Sequence, residues 1–277
     1  MFRSQRESDV IAGQLRSEWV RGRGRPVEKY TGAVAIVLGA LIPVIMILVS
    51  ARNATMRASA LETLAFPASV SAAQTMALLL GPFWAAAIGG NIVGAEYQYG
   101  TWPWLLVRSA SRTRLAIAKI VTGAARIVAL TVVGTLIFVA VGAVVRVAFG
   151  LPAIKGAMAF GPMLIPFVGI GGAMAFAAAI ALTITVASRS VVFGMLTGAL
   201  ALPLFSAIRF KETAFWIPYV HLENIQSRLL TGRANPILVR LYEFDMPART
   251  SAAVIAIELA VVLGIALVVF RRQEIVY

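Results

Sequence analysis

Long stretches of this chain carry almost no charged side chain, and that feature limits the folds open to it. They are Tyr30–Ala51, Thr63–Ala95, Ile127–Val145, Gly156–Ser188, Ser190–Ile208 and Thr250–Phe270, the last interrupted only by Glu258. A bilayer core about 30 Å thick is crossed by roughly 20 apolar residues in a helix rising 1.5 Å per residue. Backbone inside lipid must satisfy its own hydrogen bonds, and no run alternates as a barrel strand does. The expectation is therefore an all-α, polytopic membrane protein with six transmembrane helices. The second and fourth runs are longer than a bilayer needs, so part of each is expected to re-enter or leave the membrane. Composition agrees: 60% of the 277 residues are apolar and 13% charged, where a soluble domain has about a quarter charged.

Lysine and arginine near the span ends set orientation. With both termini cytoplasmic (N-in/C-in), that side receives Arg3, Arg6, Arg16, Arg21, Arg23, Arg25 and Lys29, then Arg108, Arg112, Arg114, Lys119 and Arg126, then Arg189, Arg271 and Arg272. The opposite side holds one long basic segment, 209–249, and long translocated segments weigh little in the rule. The net charge of +13 follows from this distribution and from anionic headgroups, so nucleic acid is not expected as a partner, whereas membrane lipid is. The thirty mostly polar residues before the first run are too long for the start of a cleaved signal, and the expectation is an uncleaved anchor in a bacterial cell (inner) membrane.

Chemistry is sparsely supplied. One histidine, His221, no cysteine and 12 scattered acids provide no metal cluster, no Ser-His-Asp set and no haem ligand pair. Lys29, Lys119, Lys155 and Lys211 all lack the context of a phosphate-cradling G-x-x-x-x-G-K-[ST] loop. The chain is not expected to be an enzyme or to hold a cofactor. If ATP drives it, the ATP and Mg sit on another subunit.

Two polar stretches stand out. Residues 1–29 form a cytoplasmic unit ahead of the transmembrane domain, 30–277. Within it Ile11, Leu15 and Trp19 recur every four residues beside Val20, a short amphipathic helix followed by the hinge "RGRGRP". Such a helix serves as an interfacial anchor or as a lever touching a partner. The second stretch is "GAEYQYGTWPWLLVRSASRTR", residues 94–114. Gly100 permits a tight turn, Thr101 is a good N-cap and Pro103 is tolerated in a first helical turn. Trp102, Leu105 and Leu106 then share one side of a short helix. This is either an aromatic, basic interfacial belt or a docking element.

Glu96, Gly100-Thr101, Leu105-Leu106, Arg112 and Lys119 resemble the signature carried between the second and third membrane helices by permease subunits of ABC-2 type transporters, which are six-helix, type V exporter-like proteins. The layout is similar too: an amphipathic connecting helix, six spans with both ends cytoplasmic, and a long outer segment, 209–249, before the last. The resemblance implies the transmembrane half of an ABC exporter, paired with a second permease copy or paralogue and with separate nucleotide-binding ATPase subunits. It implies that the loop is a coupling helix contacting the ATPase through Glu96, Gly100, Thr101, Trp102, Leu105, Leu106, Arg108 and Arg112, with Trp102 the expected hot spot. A secondary transporter would show matching halves, and a noncatalytic membrane scaffold would be indifferent to ATP. Apolar helix faces suit a lipid, a hydrophobic drug or an amphipathic peptide as substrate.

Smaller features complete the reading. Gly90 and Gly94, and Gly169, Ala173 and Ala177, follow small-x-x-x-small spacing that lets helices approach closely. Glu258 lies about 12 Å into the last span; it lines a substrate route or pairs with Arg146. Tyr219, Leu222, Ile225 and Leu229 follow helical spacing in the outer segment, which reads as a packed lid or an outer gate. Asn53-Ala54-Thr55 is a formal glycosylation sequon of a kind that arises often by chance.

Overall fold

The computed structural model describes residues 13, 15–21, 25–108, 111–154, 160–207, 215–234 and 236–273. Ile11, Lys155 and Lys211 lie outside the described residues. Among those described, the chain is helical throughout with no strand, as the apolar runs require. Residues 15–21 form α1. The helices that follow are α2 (Pro26–Ser50), α3 (Ala54–Thr63), α4 (Ala68–Gln98), α5 (Trp102–Arg108), α6 (Arg112–Ala148), α7 (Phe160–Ser188), α8 (Val191–Ala207), α9 (Pro218–Thr231), α10 (Pro236–Tyr242) and α11 (Ala248–Arg272).

Local chemistry explains the boundaries. Pro26 sits in the first turn of α2, where its missing N–H is no loss. Asn53 of the sequon caps α3, its side-chain oxygen accepting from Thr55 N (2.9 Å) and Met56 N (3.1 Å). Gly232, at φ +72°, ends α9 in the left-handed conformation that a side chain disfavours.

Four described stretches are long and apolar enough to cross a membrane: Lys29–Ser50, Arg112–Ala148, Ile170–Ser188 and Ala248–Arg272. A fifth is bent by 49° between Ala68–Ala77 and Leu79–Gln98. Pro82 lies four residues past the break and cannot bond the carbonyl there, which accounts for the kink. Val191–Ala201 is apolar but shorter. The 37 residues of α6 extend about 55 Å, so one end projects well beyond the hydrocarbon.

The α4 helix is central, packing on α7, α8 and α6. Small residues make this possible. A Cβ at Gly198 of α8 would lie 2.5 Å from the Ala177 carbonyl of α7, and one at Gly89 would strike the backbone of Ala178. Gly90 and Gly94 face Thr185, Val191 and Met195, so this small-residue face is used inside the chain. At the end away from α5, α9 packs on α7 and α11. Leu222 and Ile225 are buried there, but Leu229, expected on the same face, is open. Asn224 Nδ2 donates to the Met246 carbonyl (2.8 Å) and Ser251 Oγ (2.9 Å), fastening α9 to the start of α11.

Candidate functional site

The residues between α4 and α5 form a specific helix stop. Thr101 N donates to the Glu96 carbonyl (3.0 Å) and Gly100 N to the Tyr97 carbonyl (3.4 Å), with Gly100 at φ +62°. This crossed pair of bonds, with glycine in the left-handed region, is a Schellman motif. It explains the spacing E-x-x-x-G-T physically: Glu is third from the helix end, Gly supplies the reversal and Thr follows it. The Thr101 hydroxyl, expected to cap α5, instead donates to Glu96 Oε2.

Glu96 is buried and collects cations from two other elements. Arg25 at the head of α2 reaches its Oε1 at 2.5 Å and Lys119 of α6 reaches the same oxygen at 2.8 Å. Lys119, 1% exposed, also binds Glu18 Oε2 of α1 at 2.8 Å. Arg21 lies 3.5 Å from the other Glu18 oxygen. The result is a buried chain of alternating charge, Arg25–Glu96–Lys119–Glu18, tying α1, α2, α4 and α6 into one block. Burying charge is expensive unless each group is paired; here each is, and the gain is a fixed register of helices. Glu18 stands in a basic amphipathic helix, and its burial follows from Lys119, a partner 101 residues away.

Trp102, the expected hot spot, is enclosed within the chain. It is 2% exposed, packed in tilted contact between Tyr97 (5.6 Å) and Phe270 of α11 (4.8 Å), with Lys119 Nζ 5.7 Å from its ring. Within this chain the enclosed ring wedges α5 onto α11. Leu105 is buried beside it and Leu106 half-buried. The side chain of Arg108 lies outside the described residues. Trp104 (71% exposed) and Val107 (77%) point away from the bundle, and Tyr99 is also open. A cleft of about 420 Å³ separates Trp104 and Tyr99 from Arg21 and Arg25.

The C-terminal end of α11 is held to the same loop. Tyr97 donates its hydroxyl to Gln273. Arg112 donates to the Gln273 carbonyl (3.1 Å) and Arg271 Nε to Thr113 Oγ1 (2.9 Å). Sequence reasoning missed Arg25, Tyr97, Phe270 and Gln273 as members of this junction; no local pattern connects them.

Above the junction, α6, α7 and α11 border an apolar cavity of about 300 Å³ lined by Ile127, Thr131, Phe167, Met174, Leu182 and Leu263 among others. Glu258 lies near this level on α11. Its Oε2 is buried with no hydrogen-bond partner among the described residues. Arg146 is not that partner: it donates to the Pro152 carbonyl (2.7 Å) and the Leu61 carbonyl. Among the described residues no group of three or more His, Asp or Glu is placed to hold a metal ion.

A sequence profile of ABC-2 family transporter proteins matches residues 27–206, from α2 through α8. The chain belongs to the ABC-2 transporter family. No curated protein is significantly similar to it in sequence. As an ABC-2 transporter it is a multi-pass membrane permease component that works with a partner ATPase subunit. The matched region of the ABC-2 permease holds Glu96, Gly100, Thr101 and Lys119, whereas Glu18 and Phe270, which complete the junction, lie outside it.

Proposed function

We propose that the chain is the transmembrane half of an ATP-driven exporter for a hydrophobic or amphipathic substrate: a lipid, a drug or a peptide. Six spans with both termini cytoplasmic place the α4–α5 loop in the cytoplasm of a bacterial cell. There a separate ATPase subunit, carrying ATP and Mg, docks on α5, and a second permease copy or paralogue completes the transporter. The basic residues of α1, α5 and the start of α6 support this orientation. The apolar cavity beside α6 and α11 supports the substrate class.

One observation carries the reading. The α5 helix is clamped from behind by the Glu96–Lys119 network and the Trp102–Phe270 contact, while Trp104 and Val107 face outward. An ATPase binding one state of the permease more tightly biases the equilibrium between states, and a clamped α5 passes its displacement to α6 and α11. On this reading Trp104, not Trp102, is the anchor.

Co-expression with the candidate ATPase, followed by gentle purification, tests this. The wild-type chain is expected to co-elute with the ATPase. Trp104→Asp should weaken the complex by about thirtyfold or more, the loss of one hot spot, without lowering thermal stability. A chain that purifies alone, or a complex indifferent to Trp104→Asp and Val107→Asp together, would return the loop to an interfacial belt.

A further inference from the structure

On the face of α6 opposite the apolar cavity, α1, α2, α4 and α6 border a second, open cavity of about 270 Å³, lined by Trp19, Lys29, Thr31, Ile88, Arg126 and Leu130. Its walls divide by chemistry. Lys29 and Arg126 supply positive charge, Ile88 and Leu130 supply hydrocarbon, and Trp19 has both characters. Arg126 is held in place: it donates to the backbone carbonyls of Glu18 (2.6 Å) and Trp19 (3.2 Å) and lies 5.5 Å from the Trp19 ring. Lys29 is exposed and makes no ion pair among the described residues. The nearby Glu18 carboxylate is directed to Lys119 and Arg21.

Depth in the membrane narrows the ligand. Lys29 opens the apolar stretch that continues to Ser50, and Arg126 immediately precedes the uncharged run Ile127–Val145. Both cations therefore stand where their helices enter the hydrocarbon, the level of lipid phosphates. A cavity near the small end of ligand sites holds a headgroup and the start of one chain, not a whole lipid. We infer that this cavity binds the phosphate of an anionic phospholipid between Lys29 and Arg126, with the first part of one acyl chain on Ile88 and Leu130. A zwitterionic lipid carries its own ammonium and is held less well. The bound headgroup cross-links α2 to α6 beneath α1.

Native mass spectrometry of the detergent-purified chain, exchanged into phosphatidylglycerol or phosphatidylcholine of identical acyl chains, tests the assignment without any ATPase. Wild type is expected to retain one phosphatidylglycerol in preference to phosphatidylcholine. Lys29→Ala should weaken that retention roughly fivefold, the effect of one basic residue at a membrane surface. Lys29→Arg should keep it, and Arg57→Ala, which removes an exposed cation of α3, should leave it unchanged. Equal retention of the two lipids overturns the inference. So does an equal effect of Arg57→Ala, which would mean diffuse attraction. Displacement of the lipid by millimolar inorganic phosphate also overturns it, since the cavity would then be a site for the free anion.

Discussion

Replacing Glu96 with glutamine keeps the shape of the buried junction and removes its central charge. Breaking a buried ion pair costs about 3–5 kcal/mol because an uncompensated charge is left inside. Here both cations keep other partners: Lys119 retains Glu18 at 2.8 Å, and Arg25 retains the carbonyls of Asn91 (3.2 Å) and Ile92 (3.5 Å). Glu96→Gln should therefore fall at the lower end, about 3 kcal/mol. Lys119→Met is worse. It leaves Glu18 and Glu96 buried together with only Arg21 and Arg25 to answer them, and should cost about 5 kcal/mol. At about 2–4 °C per kcal/mol for a domain of comparable size, thermal unfolding in detergent should drop by roughly 6–12 °C for Glu96→Gln and further for Lys119→Met. The double variant should lose less than the two losses added, because they share one network. Amide exchange should rise in 15–21 and 102–108 before the rest of the chain. A fall under about 2 °C for Glu96→Gln, or strict additivity of the pair, would show that the charges are not coupled and that the junction is held by Trp102 packing alone.

Three further outcomes follow from other places in the fold. Gly198→Ala should lower the melting temperature, since overpacking against the Ala177 carbonyl costs about 1–3 kcal/mol and outweighs the gain in helix propensity of about 1 kcal/mol; Gly264→Ala, where no atom lies within 4 Å, should be neutral or stabilising. Burial pushes His221, outside the spans, below its ordinary value, with its Nε2–H bond to the Phe215 carbonyl (2.8 Å) pulling the other way; the unfolded chain then binds the proton first, so stability present above about pH 6.5 is lost as pH falls toward the folded value. Compared with His221→Gln, wild type should show steeper loss of melting temperature from pH 7.5 to 5. Glu258→Gln should change transport more than melting temperature, because its Oε2 has no partner to lose among the described residues; unchanged transport in vesicles would remove it from the substrate route.

Class and loop signature were legible because both are local. Uncharged runs of bilayer length have few folded solutions, and Glu96, Gly100 and Thr101 are close enough for one helix stop to explain their spacing. The orientation of α5 was not legible. Trp102 and Trp104 are two residues apart in a seven-residue helix, and either could face the bundle; Phe270, 168 residues on, decides it. The role of Glu18 was hidden for the same reason, since no local pattern marks Lys119, 101 residues on, as its partner. Glu258 and Arg146 are opposite charges in the spans, but Arg146 is taken by the Leu61 and Pro152 carbonyls, backbone acceptors that no sequence pattern marks.

The clamped loop bears on how force reaches the membrane. Were α5 a free amphipathic segment, an ATPase could push it along the surface without moving a span. Instead Trp102 presses on Phe270 near the end of α11, and Lys119 binds from the third turn of α6. Those two helices touch each other and α7 unequally: α11 packs well on α7, while α6 meets both only sparingly. The apolar cavity lies along that sparing contact. On the proposed docking, a displacement of α5 would act on a sparingly packed seam, because separating α6 from α11 breaks few contacts, whereas separating α4 from α7 would tear glycine-mediated backbone packing. The stiffness of the junction and the softness of the seam are complementary, and under the proposed function each would need the other for a docked ATPase to change access to the cavity.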